Sequence, residues 1–153
     1  MGGDRFHLQP GRFVVICFDA DLIGRWVSSQ LHFKYVPGTC SAIGRVKGGK
    51  VIAGVIYEDF NGANVVCHIA GIGRWMNRKF LSIIFDYPFN QLKAKRITVC
   101  VTETNKASRR FVEHLGFELE AILREAHPDG DLRIYRMPRE KCRWLKELPY
   151  ELT

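Results

Sequence analysis

The stretch from Asn64 to Thr102 restricts the fold more than any other part of the chain. "NVVCHIAG" reads as a strand. From Asn77 the apolar residues Phe80, Leu81, Ile84 and Phe85 recur at helical spacing, and "RITVCVT" (Arg96 to Thr102) then alternates Ile97, Val99 and Val101 against Thr98 and Cys100. A strand that follows a helix that follows a strand returns by a crossover, so a right-handed βαβ unit with two parallel strands is expected. Upstream lie hairpins. "SAIGRV" and "VIAGVIYEDF" flank Lys47-Gly48-Gly49-Lys50, and Phe60-Asn61-Gly62 turns into "NVVCHIAG", which predicts three antiparallel strands in succession.

The flanking segments complete a mixed α/β order. "RFVVICF" (Arg12 to Phe18) is a β-branched apolar run, and in "DADLIGRWVSSQL" the residues Leu22, Ile23, Trp26, Val27 and Leu31 share a helical face that Asp19 or Asp21 can cap. Asn77 is positioned to cap the middle helix, with Met76 stapled onto Leu81, and Pro88 to end or kink it. Asn105 can cap the next helix and Gly116 can supply the left-handed residue that terminates it. "FELEAILR" resumes strand alternation through Phe117, Leu119, Ala121 and Leu123, and "HPDGD" turns into "LRIYRM". Pro138 suits the first turn of a closing helix carrying Cys142, Leu145 and Leu148. No linker or repeat interrupts this order, and 153 residues with 46% apolar content suit a single domain, 1–153, around one core.

Formal net charge is +7, from 23 Lys and Arg against 16 Asp and Glu, which favours phosphate-bearing partners through long-range attraction. The basic residues are scattered. Neither zinc-finger spacing nor an RNA-binding signature is present, which argues against nucleic acid, and a phosphate-rich cofactor accounts for the charge equally well. Cys17, Cys40, Cys67, Cys100 and Cys142 are odd in number and far apart, so reduced thiols are expected rather than a metal cage or a disulfide framework. No apolar stretch approaches the roughly 20 residues that span a bilayer, and "MGGDRFHLQPG" lacks a signal-peptide core. The expectation is a soluble cytoplasmic protein with no membrane partner.

Ser108 shares a helical face with Phe111, Val112 and Leu115, so its hydroxyl points inward or into a cleft. One explanation is a helix-start serine bonding back to the Asn105 region; the other is chemistry. Taken with the order of elements, "ETNKASRRFVEHLGF" resembles the GNAT superfamily of acyl-CoA-dependent N-acyltransferases. The likeness is best to members similar to the ribosomal-protein N-terminal acetyltransferases, whose Asn-x-x-Ser, helix and Gly-Phe pattern is met by Asn105, Ser108, Gly116 and Phe117. It runs from "VIAGVIYEDF" through "RIYRM", more than half of the chain, and "REKCRWL" is also similar to short phage-encoded members.

The resemblance implies a single-domain GNAT fold: a mixed, mostly antiparallel central sheet flanked by helices, with the fourth and fifth strands splayed to admit a pantetheine arm. It implies acetyl-CoA as co-substrate and direct attack by a primary amine, whether a protein N-terminus, a lysine, a polyamine or a small amine. His68, Ile69 and Ala70 would line the cleft, and Asn105 would contact the cofactor arm. Ser108 would lie near the sulfur as leaving-group acid, because Val112 occupies the position where many members have a tyrosine. The pyrophosphate would sit on Gly71, Gly73, Arg74, Trp75, Met76, Asn77 and Arg78, where loop amides and a helix dipole converge. Trp75 stands where the family has glycine. With Gly71 and Gly73 nearby, and Arg74, Arg78 and Lys79 able to supply charge-assisted bonds, cofactor binding is expected to be modified but retained. His127 matches the position of a glutamate in the ribosomal-protein group, with Glu125 two residues before it; His127 is either the base or an ordinary turn residue, and His68 and Glu58 are the other candidate bases. The rival reading is a non-catalytic binding or interaction protein on the same fold, its cofactor loop blocked by Trp75. The acceptor and the oligomeric state, a homodimer included, stay open.

Overall fold

The computed structural model describes residues 14–147. In chain order these form β1 (Val14–Cys17), α1 (Ala20–Leu31), β2 (Cys40–Lys47), β3 (Lys50–Glu58), β4 (Asn64–Gly71), α2 (Arg78–Asp86), a π-helical turn (Tyr87–Gln91), β5 (Arg96–Thr102), α3 (Lys106–Leu115), β6 (Glu118–His127), β7 (Gly130–Pro138) and two 3₁₀ turns (Arg139–Lys141 and Arg143–Glu147). The seven strands form one mostly antiparallel sheet in the order β1-β2-β3-β4-β5-β7-β6, with β4 and β5 parallel, as the strand–helix–strand order requires. Among the described residues no helix is long and apolar enough to cross a membrane.

The described chain groups into two compact units, 14–56 with 69–77 and 57–68 with 78–147. In the first, Asp19 caps α1, its Oδ1 accepting the amides of Asp21 and Leu22 at 3.1 Å each. The buried face of α1 is Ile23, Gly24, Val27 and Ser28. Leu22, expected in that face, is 49% exposed instead. Two glycines decide the matter. A Cβ on Gly44 would fall 2.1 Å from Ile23 Cδ1, and one on Gly54 would fall 2.7 Å from both Ile23 Cγ2 and Val27 Cγ2. The bare backbones of β2 and β3 are thus the seat for Ile23 and Val27, and the helix is turned to place them there. Gly44→Ala should therefore destabilise the protein by about 1–3 kcal/mol, the usual cost of overpacking, and lower the urea midpoint at unchanged m. An unmoved midpoint would show that α1 is not seated on Gly44.

In the second unit β5 pairs with β7 along its whole length, from Arg96↔Pro138 to Thr102↔Leu132. Pro88 has no amide to continue α2, and the chain widens into the π-helical turn, in which the Leu92 amide donates to Tyr87 O at 2.9 Å. Phe80, Phe85, Phe89, Ile97, Leu115, Tyr135 and Met137 form the buried interior. Two expectations need correction. The closing segment is not an α-helix: Pro138 is still paired in β7, and only short 3₁₀ turns follow. Trp144 sets their path, its Nε1 donating to Leu115 O at 2.9 Å and its carbonyl accepting Ser82 Oγ at 2.8 Å. Leu148 lies outside the described residues. In β6 the alternation does not bury Leu119 and Leu123, which are both nearly half exposed, because β6 is the edge strand and a bulge interrupts its register between Leu119 and Ala121. The bulged residue, Glu120, bonds Arg96, and that hydrogen bond holds its carboxyl below the usual range.

Candidate functional site

β4 and β5 pair at Asn64↔Arg96, Val65↔Ile97 and Val66↔Thr98, and the register ends there. Both strands run on. In the second unit Cys67 and His68 continue β4 while Val99 to Thr102 continue β5, so beyond Thr98 the β4-facing edge of β5 carries main-chain groups outside any strand ladder. Such groups need partners, and the amide arm of an extended ligand can supply them. His68, beside this opening, has its Nε2 2.6 Å from Glu58 Oε1, with both side chains only partly exposed. A carboxylate on Nε2 fixes the orientation of the ring, the arrangement of a histidine held by a carboxylate. The adjacent Cys67 is no nucleophile: burial pushes its thiol far up, and the Glu58 charge adds to the effect. Tyr57 is likewise held as a phenol by burial, donating to Ile84 O at 2.6 Å.

At the start of α3, Asn105 Oδ1 accepts the Ser108 amide at 3.1 Å, and Gly116 ends the helix in the left-handed region with φ 109. The Ser108 main chain, not its hydroxyl, makes the cap bond. Val112 and Leu115 fix the inward face, and Ser108 itself is half-buried. Sequence reasoning missed the network around this helix: Arg109 Nη1 donates to Glu103 O at 3.0 Å, Arg133 Nε to Glu103 Oε2 at 2.8 Å, and Tyr135 Oη to Glu113 Oε1 at 2.9 Å. Nothing in local spacing announces it, since it joins α3, β7 and the turn between β5 and α3.

Glu125 and His127 lie at the β6–β7 hairpin. Leu132 pairs with both Thr102 and Leu123, so this tip projects past the end of β5 from which α3 departs. His127 Nδ1 accepts the Asp129 amide at 3.1 Å, and Glu125, at φ 54, donates its amide to Asp131 Oδ1 at 2.9 Å. That amide, and then Arg124, hold the Asp131 carboxyl below its usual range. Both predicted residues thus have roles in holding the turn.

In the first unit Ile69 and Ala70 are buried, whereas Ile72, Gly73, Arg74, Met76 and Asn77 are exposed, as is Arg78 at the start of α2. Trp75 differs from its neighbours. It is 7% exposed, and its indole lies against Gly71 so closely that a Cβ there would meet Nε1 at 2.1 Å. Arg45 Nη1 donates to its carbonyl. Gly73, at φ 61, makes the bend that turns the chain. A tryptophan folded back onto Gly71 does not stand out into solvent from the loop, and Arg74 stays exposed beside it, a cation that fits an anionic group. Among the described residues no three His, Cys, Asp or Glu side chains gather as metal ligands would.

Residues 50–136, more than half of the chain, match the family model of the acetyltransferase (GNAT) domain. The chain belongs to this acetyltransferase family. No curated protein matches its sequence. Its fold is similar to that of spermidine N-acetyltransferase from Vibrio cholerae solved in complex with CoA and spermine, at TM-score 0.61 and 15% identity, over 84% of this chain and 96% of that one. Mutant forms of the Vibrio cholerae spermidine/spermine N-acetyltransferase give TM-score 0.65 at 14% identity, over 90% of this chain and 100% of that one. A putative acetyltransferase of the GNAT family from Desulfovibrio desulfuricans gives 0.60 at 14%, over 82% and 99%. At these identities the likeness is one of fold.

Proposed function

We propose that this chain is a cytoplasmic N-acetyltransferase that moves an acetyl group from acetyl-CoA to a primary amine. The observation that carries the reading is the β4–β5 register, which ends at Val66↔Thr98 although both strands continue. Family membership and the CoA and spermine held by a structural neighbour support a thioester donor and an amine acceptor. The Asn105, Ser108, Gly116 and Phe117 pattern supports placing the chain near the ribosomal-protein group, and five free thiols fit a reducing compartment.

Acetyl-CoA supplies the acetyl group as an activated thioester. In the first unit, Ile69, Ala70, Gly71, Gly73, Arg74, Trp75, Met76 and Asn77 form the segment that would hold its pantetheine and pyrophosphate; in the second, Arg78, Asn105 and Ser108 are the proposed contacts. His68, oriented by Glu58, takes the proton from the incoming ammonium, since only a neutral amine attacks. Ser108 Oγ gives its proton to the leaving thiolate and regains one from the acylated nitrogen, which sheds its second proton as the amide forms. No side chain forms a covalent intermediate, in keeping with the buried, protonated Cys67.

Acetyl-CoA at a hundredfold excess over Kd should stabilise the native state by about 2.7 kcal/mol and raise the melting temperature by roughly 5–10 °C for a chain of this length. A melt unmoved by saturating acetyl-CoA would sink the enzyme reading in favour of a binding protein on the same fold.

A further inference from the structure

At the start of β5 lies a cavity of about 790 Å³, lined among others by Phe89, Asn90, Lys93, Lys95, Arg139 and Glu140. Asn105 and Ser108 follow the opposite end of that strand, about 20 Å away at some 3.3 Å per residue. The cavity follows from the way α2 ends. After the π-helical turn the Ala94 amide donates to Pro88 O at 2.9 Å, a seven-to-one closure, and Lys93 lies in the left-handed region at φ 59. Glycine is the usual occupant of that position, and a lysine there is strained. Arg139 is fixed beside it: its amide donates to Lys95 O at 3.1 Å, and its guanidinium donates to Phe89 O and, at 2.6 Å, to Asn90 Oδ1. A guanidinium has five N–H donors, so others remain for a ligand. Lys93 and Lys95 are exposed and have no ion-pair partner among the described residues, and Glu140 is the one carboxylate in the lining.

We propose that this cavity binds a small phosphate monoester, its phosphate held by Lys93, Lys95 and Arg139. The site opens to solvent and has room for more than a bare ion. A prepositioned guanidinium matches two oxygens of an anion, and two ammonium groups beside it complement a dianion better than a single carboxylate. The strained backbone at Lys93 points the same way, because glycine would make the turn without strain but would remove a cation from the rim.

Phenyl phosphate, inorganic phosphate and phenol, titrated into the full chain at low salt and followed by amide resonances, test the assignment. Phenyl phosphate should shift residues 89–95 and 139–140 saturably, and phenol should not. Lys95→Ala should weaken phenyl phosphate at least tenfold. Lys93→Gly should weaken it similarly while raising the melting temperature, opposite signs that damage to the fold would not produce. The proposal is overturned if those resonances do not respond, if both variants bind as the wild type does, or if inorganic phosphate binds as tightly as phenyl phosphate. Displacement of phenyl phosphate by acetyl-CoA, which carries a phosphate monoester of its own, would make the cavity part of the cofactor site and equally overturn a separate one.

Discussion

His68→Gln should lower the turnover of an amine substrate by about 10²–10⁴-fold while leaving acetyl-CoA affinity unchanged, because a general base acts on the acceptor and in the transition state. The 2.6 Å contact between His68 Nε2 and Glu58 Oε1 orients the ring, so Glu58→Gln should lose part of the same rate. His127→Ala provides the comparison. His127 Nδ1 accepts the Asp129 amide in the β6–β7 turn, so that variant should lose stability and keep its rate. Steady-state kinetics and thermal melts on the three variants decide between the two histidines. Full turnover in His68→Gln together with a large loss in His127→Ala would move the base to the hairpin.

The residues differ in how far they announced these roles. β5 was legible to its ends, since Ile97, Val99 and Val101 alternate with smaller or polar residues and all three are buried on one face. The α1 cap was legible as one of two residues, Asp19 or Asp21, because a cap acts within two and three residues of itself, and it is Asp19 that makes the bonds. Leu22 misled because periodicity defines an apolar face, whereas the angle at which a helix docks depends on the partner surface. Here the glycines at 44 and 54 set that angle from another part of the chain. The closing helix failed for a related reason: Pro138 is as acceptable at the end of β7 as at a helix start, and tertiary bonds of Trp144 choose the 3₁₀ path. In the candidate site Asn105 and Ser108 were readable as a local motif. Glu58 and His68 were readable only as separate candidates, and the loop glycines gave no sign that Trp75 folds back onto Gly71. Lys93 is the opposite case to Gly116, a left-handed residue without the glycine that would have marked it.

Ser108→Ala separates chemistry from capping at the residue where the two compete. The cap bond runs from the Ser108 amide to Asn105 Oδ1, and the substitution leaves that amide in place. Ser108→Ala should therefore melt within about 0.5 kcal/mol of the wild type, as a change away from cap or core features does, and bind acetyl-CoA with nearly unchanged affinity. Its turnover should fall by roughly 10²–10⁴-fold, because a leaving-group acid contributes mainly in the transition state. Asn105→Ala removes the acceptor instead. That variant should lose about 1 kcal/mol of stability, the usual worth of an N-cap, together with whatever affinity Asn105 gives the cofactor. Melting curves, acetyl-CoA titrations and single-turnover rates on both variants give the decision. Intact turnover in Ser108→Ala would return the serine to a packing role on α3 and leave the departing thiolate to be protonated by solvent.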